Sequence, residues 1–310
     1  IYLTILALGS IMMGNIAVAK LISNWFDKNA GRALGIAAIG ISFSGVMLPL
    51  VVDPLLDLVG WRNTYVIFAA VVLFIILPLI FFVVIDDPKT INQFKDGIKR
   101  DIREESFPQE MNSKDLLSKK VFWVISLAFA FQFLSMMGVI AFLPIHASKM
   151  GLDEIWNILG FPVKQYVFAY ALAAFGGVLG KLIFGYLMDL MRAAYPSMIA
   201  MSLQATGIFG FTYFSEPSIF FLSALIFGLG YGAATPLMTA CYLRAFGSHN
   251  LGKARGISSP IVAPLQPIGI LITSILIGFQ DTYFIAFNIM GCVALFAVVL
   301  ASQIQEPEKI

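Results

Sequence analysis

Apolar residues fill nine long blocks of this chain, at approximately 2–24, 33–56, 63–85, 121–146, 165–188, 195–214, 218–243, 256–279 and 283–303, with polar residues gathered between them. About 20 apolar residues cross the hydrocarbon of a bilayer as a helix whose backbone hydrogen bonds are satisfied internally. Most of these blocks are apolar on every face, so length and punctuation, not periodicity, define them. None alternates with period two, which argues against a membrane β-barrel. The pattern predicts an all-α integral membrane protein with nine transmembrane helices.

Composition strengthens this reading. Hydrophobic residues make up 59% and charged residues 12% of the 310 positions, against about 25% charged in soluble domains. Mean hydropathy is +0.87. A soluble core of this length cannot hide so much apolar surface, whereas lipid can.

The blocks also repeat. Gly31-Arg32-Ala33-Leu34-Gly35-Ile36 returns as Gly252-Lys253-Ala254-Arg255-Gly256-Ile257. At nearly the same offset, Asn63-Thr64-Tyr65-Val66-Ile67-Phe68 returns as Asp281-Thr282-Tyr283-Phe284-Ile285. Two landmarks in one order point to a duplicated membrane-embedded half, the plan of transporters built from repeats. The offset maps the first three blocks onto the last three and leaves the middle three without partners. Two equal halves would then require three further spans, about 100 residues, ahead of Ile1. The chain therefore reads as the last nine of twelve helices.

Charge orients it. Lys28, Arg32, the basic residues from Lys89 to Lys120, Arg192, Arg244, Lys253, Arg255 and Lys309 fall on one side; Arg62, Lys149 and Lys164 fall on the other. The basic side is expected to be cytoplasmic, in a plasma or inner membrane. Residues 86–119 form the one substantial polar stretch, with Asp86, Asp87, Asp96, Asp101, Glu104, Glu105, Glu110 and Asp115 nearly balanced by basic residues. That composition reads as a solvated cytoplasmic linker, ending in a short interfacial helix ahead of Trp123. The domains follow: 1–85, three spans of a first six-helix bundle; 86–119, linker; 120–310, a second six-helix bundle.

Several residues carry a resemblance. Asn24-Trp25-Phe26-Asp27-Lys28, Gly31 to Ile36, Gly40, Gly45, Pro49 and Gly60-Trp61-Arg62 resemble helices 4 to 6 of the major facilitator superfamily, in its monocarboxylate and organic-anion transporter branch. Leu143-Pro144-Ile145-His146 with Met150-Gly151-Leu152 is similar to that branch's helix 7 exit, and Gly177 to Asp189 to its helix 8. The resemblance covers nearly the whole chain. It implies a major facilitator fold, nine of twelve helices in two pseudo-symmetric bundles around a midplane site, alternating access by rocking. The family's cytoplasmic motif has a Gly, an Asp four residues on, then basic residues. Gly185 and Asp189 match, but Leu190 follows and the basic residue is displaced to Arg192.

Candidate sites follow from physics and from the resemblance. Glycines 176, 177, 180 and 185 leave grooves for a neighbouring backbone. Asp189, at a helix end, is placed to stabilise a neighbouring helix N-terminus in one conformation only, as a gate requires. Arg32 and Arg255, in the repeated motif, join it as gating candidates. Lys181 lies about 12 Å up the helix from Asp189, a depth that is costly without a partner, a snorkelling route or a wet cavity. The suspected branch has a substrate-contacting arginine at this position and often an aspartate four residues earlier, linked to proton coupling. Here that earlier residue is Gly177. Lysine keeps the charge but not bidentate carboxylate recognition, so an anionic substrate survives the comparison and proton coupling is weakened. Asn15, Gln132 and Gln266, near span centres, are candidate cavity polars; Gln204 and Asn288 read as interhelical hydrogen-bonding residues. His146 is a candidate titrating group near the outer face, and Lys20 reads as a snorkelling lysine.

Enzyme readings fail on inventory. Cys241 and Cys292 stand in separate spans, and His146 and His249 on opposite sides, so neither a disulfide framework nor a metal centre is expected. Gly228-Leu229-Gly230-Tyr231-Gly232 lies within an apolar span, as a helix-packing element rather than a nucleotide loop. No cofactor and no nucleic acid partner is expected. The partners are a small-molecule solute, the lipid bilayer and a coupling proton or other ion. The leading expectation is a secondary transporter of a monocarboxylate-like anion. Its alternatives are a carrier of neutral or amphiphilic solutes, of the efflux type, and a non-transporting membrane sensor of the same fold.

Overall fold

The computed structural model describes residues 15–97, 110–158, 161–280 and 283–305. Most of the first expected span, 2–24, lies outside the described residues, as do Asp101, Glu104, Glu105, Asp281, Thr282 and Lys309.

Helices dominate. In chain order they are α1 (Asn15–Trp25), α2 (Ala30–Val71), a π-helical turn (Val72–Ile76) and α3 (Leu77–Val83). After the linker come α4 (Ser113–Ser118), α5 (Lys120–Ile140), α6 (Leu143–Lys149), α7 (Gln165–Leu190), α8 (Ala194–Tyr213), α9 (Pro217–Gly232), α10 (Ala234–Val262), α11 (Leu265–Gln280) and α12 (Tyr283–Ala301). Among the described residues, five stretches are long and apolar enough, by length and composition, to cross a membrane: Leu55–Val83, Lys120–Ile140, Gln165–Leu190, Pro217–Phe279 and Tyr283–Ala301. The chain is an all-α membrane protein.

The helix ends differ from the apolar blocks for local reasons. The second and third blocks share the stretch Ala30–Val71 but are parted at Gly60, which leaves the helical conformation at φ 73, one that costs glycine little. Gly247 does the same at φ 74 within α10. The expected span 218–243 breaks at Ala233, and the block at 256–279 breaks where Pro264 follows Ala263. Proline removes a backbone donor and crowds the preceding turn. The block 121–146 likewise ends at Ile140, then resumes as α6 with a proline in its first turn.

One element was not expected: an antiparallel hairpin, β1 (Ile155–Ile158) with β2 (Phe161–Lys164), in register Trp156 to Val163. Trp156 packs on Phe168 and Phe221, with ring centroids 5.8 and 5.3 Å away, so the hairpin is seated on the ends of α7 and α9.

Helices α5 and α7 to α12 pack into one bundle. Its core combines phenylalanines (Phe122, Phe129, Phe211, Phe227, Phe287) with alanines and glycines. Small residues matter because close backbone approach supplies much of the attraction between helices in lipid. A Cβ added at Gly176 or Gly180 would run into the Leu225 and Leu229 carbonyls of α9, and one added at Gly228 or Gly232 into the Ala173 and Gly177 carbonyls of α7. The glycine-rich Gly228–Gly232 run is thus a packing surface. Against this bundle lie α1, touching α10, and the first turns of α2, touching α7 and α10. The rest of the first half, Leu55–Val83, has no buried residue in its most apolar window.

Candidate functional site

The contact between α2 and α7 brings the Gly31–Ile36 segment against the Gly177–Asp189 segment. Every third or fourth residue of α7 faces one stripe, since i, i+4 and i+7 lie on one side of a helix. Tyr170, Gly177, Lys181, Gly185 and Asp189 occupy that stripe. At Gly185 a Cβ would stand 2.8 Å from the Gly31 carbonyl oxygen and 3.2 Å from Gly35 Cα. A Cβ at Gly35 would in turn strike the Lys181 carbonyl. Here the two backbones touch, and only glycine fits.

Asp189 closes the linker-side end of this seam. Its carboxylate accepts hydrogen bonds from the backbone N–H of Gly31 at 2.8 Å and of Arg32 at 3.0 Å. These amides belong to the first turn of α2, which has no intrahelical acceptor for them. The Arg32 Nε stands 3.6 Å from the same carboxylate, and Arg32 is half-exposed where Asp189 is buried. The guanidinium also lies 4.4 Å over the Tyr186 ring. The amide bonds outweigh the ion pair: hydrogen bonds to a charged group are worth about 1.5–3 kcal/mol each, an exposed ion pair about 0–1 kcal/mol.

Arg192 stands exposed beyond α7. At this helix end Arg244, from α10, donates to the carbonyls of Met191, at 2.6 Å, and Met188. Sequence reasoning counted Arg244 only toward orientation; its signal was a basic residue at a span end, where it can meet a neighbouring helix C-terminus.

Lys181 is buried, only 6% exposed, where α7 meets α2. One turn away, a Cβ at Gly177 would lie 3.1 Å from the Tyr231 hydroxyl. The space an acidic side chain would occupy at Gly177 is thus bordered by a phenol from α9. Sequence reasoning missed Tyr231, because nothing local distinguishes its face of an apolar span.

The other candidates are placed as follows. Gln132 is fully buried within the bundle; its side-chain amide donates to the Gly230 carbonyl at 3.4 Å, and Gln204 donates to the Gln132 carbonyl at 3.1 Å. The two glutamines tie α5, α8 and α9 together. Gln266 is half-buried in the first turn of α11, just past the break at Ala263 and Pro264. Asn15 opens α1, but its side chain lies outside the described residues. His146 is buried among Phe220, Tyr283 and Phe287, with Nε2 2.9 Å from the Phe211 carbonyl; that oxygen only accepts, so Nε2 carries the proton. Arg255 is half-buried, and its Nε has no partner among the described residues. Lys20, expected to snorkel, instead donates across the halves to the Ser248 carbonyl at 2.6 Å.

Comparison with known proteins supplies the deciding observation. The family model described as Major Facilitator Superfamily matches residues 1–265. The chain belongs to the Major Facilitator Superfamily. It is therefore a membrane transporter by family, with a small-molecule solute as its partner, and the family points away from an enzyme. No curated protein matches the chain. Among the described residues no cluster of metal-ligating side chains occurs. The seam described above joins the first turns of α2 to α7, and it holds the most deeply buried lysine of the described spans.

Proposed function

We propose that this protein is a secondary active or facilitative transporter of a small, monocarboxylate-like organic anion, working by alternating access, and that it is the helix 4–12 portion of a monocarboxylate-branch carrier. The observation that carries this reading is Lys181, a cation buried in the seam between the halves. A positive charge at that depth is retained where it meets a protein partner, an anion or a wet path. Gly185 and Asp189, with Gly31 and Arg32 against them and Arg192 and Arg255 as further candidates, form the gate on the linker side, which we place in the cytoplasm with the linker and the C-terminus. Asp189 holds the first turn of α2 when this end is closed, and loses both amide bonds when it opens. Tyr231 borders the lysine's neighbourhood and supplies a hydroxyl toward the bound solute; Asn15, Gln132 and Gln266 are further polar positions around the path. With Gly177 in place of an acid, coupling to a proton falls to another group, His146 being the titratable candidate, or is absent.

Uptake tests the proposal. Labelled pyruvate, lactate and related carboxylates are offered to proteoliposomes holding the full-length protein or its Lys181→Gln variant, with and without a pH gradient. Saturable uptake lost in the variant is expected. Uptake indifferent to Lys181 overturns the anion site and favours a neutral or amphiphilic solute. Absence of uptake of any offered solute favours a sensor.

A further inference from the structure

The start of α2 is held by two carboxylates. Asp189, from the opposing half, takes the amides of Gly31 and Arg32. The amides just before them are claimed by Asp96, in the linker. Its Oδ2 accepts from the N–H of Asp27 at 2.9 Å and of Lys28 at 2.8 Å. Its Oδ1 accepts from the Asn29 N–H at 3.3 Å and from the Asn29 side-chain amide at 3.2 Å. The turn joining α1 to α2 is therefore wrapped around one carboxylate that no local residue provides.

The Asp96 φ is 54, left-handed, a region that aspartate and asparagine enter more readily than other non-glycine residues. Beside it, the Lys95 ammonium spans the two halves, donating to the Ser23 carbonyl on α1 at 3.2 Å and to the Ser248 hydroxyl on α10 at 3.4 Å. Ser248 is also the residue whose carbonyl receives Lys20. The linker thus touches both halves at the point where Asp189 crosses between them.

We propose that Asp96 is a positioning residue of the linker-side gate, presetting the Asp27–Asn29 turn so that the Gly31 and Arg32 amides meet Asp189, while Lys95 fastens the end of α1, at Ser23, to Ser248. The inference rests on the gate reading of Asp189 given above. It explains why a polar linker turns back onto a helix start. The Asp27, Lys28 and Asn29 amides precede α2, and the Asp189 carboxylate is already engaged by Gly31 and Arg32, so Asp96 supplies the acceptor for this turn. With Asp96 in place the α2 start keeps its shape when Asp189 leaves, so each closure finds its amides already aimed. Lys95 loses only its Ser248 contact on opening, which makes the linker a fastener that engages when the halves meet.

The test measures gate closure directly. Spin labels are placed at the exposed positions Asp86 and Tyr195 of the full-length protein, with Cys241 and Cys292 replaced by alanine. Pulsed distance measurements then read the populations closed and open on the linker side. Asp96→Gly removes the carboxylate and relieves the left-handed backbone, so a purely local staple would change the melting temperature and leave the populations alone. The expected result is a fall of about tenfold in the closed-to-open ratio, the scale of one charge-assisted hydrogen bond. Asp96→Asn, which tolerates the left-handed backbone and keeps one acceptor oxygen, should fall between. Asp189→Asn should also open the gate, and adding Asp96→Gly to it should open it little further. Wild-type populations in both Asp96 variants, with a shift in Asp189→Asn, overturn this inference alone. Wild-type populations in Asp189→Asn overturn the gate reading beneath it. Should Asp96→Gly fail to fold, Asp96→Asn decides.

Discussion

Replacing Gly185 by alanine should push the linker-side gate open. The added Cβ would stand 2.8 Å from the Gly31 carbonyl oxygen, where ordinary van der Waals contact begins at 3.4 Å. Both neighbours are backbone, so no side chain can swing aside, and α2 and α7 must part by about 0.6 Å, the difference between those distances. Overpacking of this kind costs about 1–3 kcal/mol, a change of about 5- to 150-fold in a two-state ratio. Alanine also favours the helix by about 0.5–1 kcal/mol over glycine, but that gain applies whether the gate is open or shut and cancels. The cost falls on the closed state only. Distances between spin labels at positions 86 and 195 should therefore lengthen in Gly185→Ala. Gly31→Ala, whose Cβ would stand 2.5 Å from the Gly185 oxygen, should shift them the same way. Gly40→Ala, further along α2 with no atom within 4 Å of its Cβ, should leave them unchanged. A wild-type distance distribution in Gly185→Ala, or an equal shift in Gly40→Ala, would refute the reasoning.

Three further outcomes are expected. Gly177→Asp should lower stability by about 1–3 kcal/mol because the new side chain meets the Tyr231 phenol, and Tyr231→Ser should recover part of the loss; thermal unfolding in detergent checks both. Arg244→Gln should cost about 1–3 kcal/mol and speed amide exchange near residues 187–191, since it removes the donors that satisfy the Met188 and Met191 carbonyls. Burial pushes the Asp96 carboxyl up, but the amides of Lys28, Asp27 and Asn29 with the Asn29 side chain together pull it below its ordinary value of 3.8. A depressed carboxyl stabilises above its unfolded pKa and loses that contribution as pH falls through the folded one. The Asp96 contribution to closure, measured as wild type against Asp96→Gly, should thus stay constant from about pH 8 to about pH 5.

The elements that could be read from the sequence are those whose causes are local. Apolar length marks α7, α8 and α12 nearly to their ends, and Gly60 announces its turn beside Asp57 and Arg62. The hairpin at 155–164 was missed because Pro162 and two short strands give no sustained alternation. The break at Ala233 was missed because no polar residue marks it. At the site, an acid at the end of α7 is legible as a helix-capping group, but sequence does not say whose N-terminus it meets. The contacts that build the gate join residues far apart in the chain: Asp189 with Gly31, Asp96 with Asp27, Lys20 with Ser248. Lys20 illustrates the limit, since a lysine near a span end snorkels unless a carbonyl from another helix happens to stand there.

The two copies of the repeated motif meet unlike surroundings. Gly31-Arg32-Ala33-Leu34-Gly35 and Gly252-Lys253-Ala254-Arg255-Gly256 offer the same features, two glycines one turn apart and a cation beside the first. The first copy meets the backbone of α7 at both glycines, and its amides are taken by Asp189. Among the described residues nothing lies within 4 Å of a Cβ added at Gly252 or Gly256. Lys253, in the place of Arg32, instead donates to the Glu110 carboxylate at 3.3 Å and the Met111 carbonyl at 2.9 Å. Glu110 is exposed, so that ion pair is worth about 0–1 kcal/mol, well below two amide bonds to a buried carboxylate. The motif features are similar, and what each copy faces therefore decides how it is held. The two linker ends differ in what they hold: near Asp96 the linker reinforces the contact between α2 and α7, and near Glu110 it is tied to α10 by Lys253 and by the Met111 N–H on the Asn250 side-chain oxygen. Opening of the linker side should accordingly be limited by separation at Gly31 and Gly35, the Lys253 contact lying between linker and α10 and not across that seam.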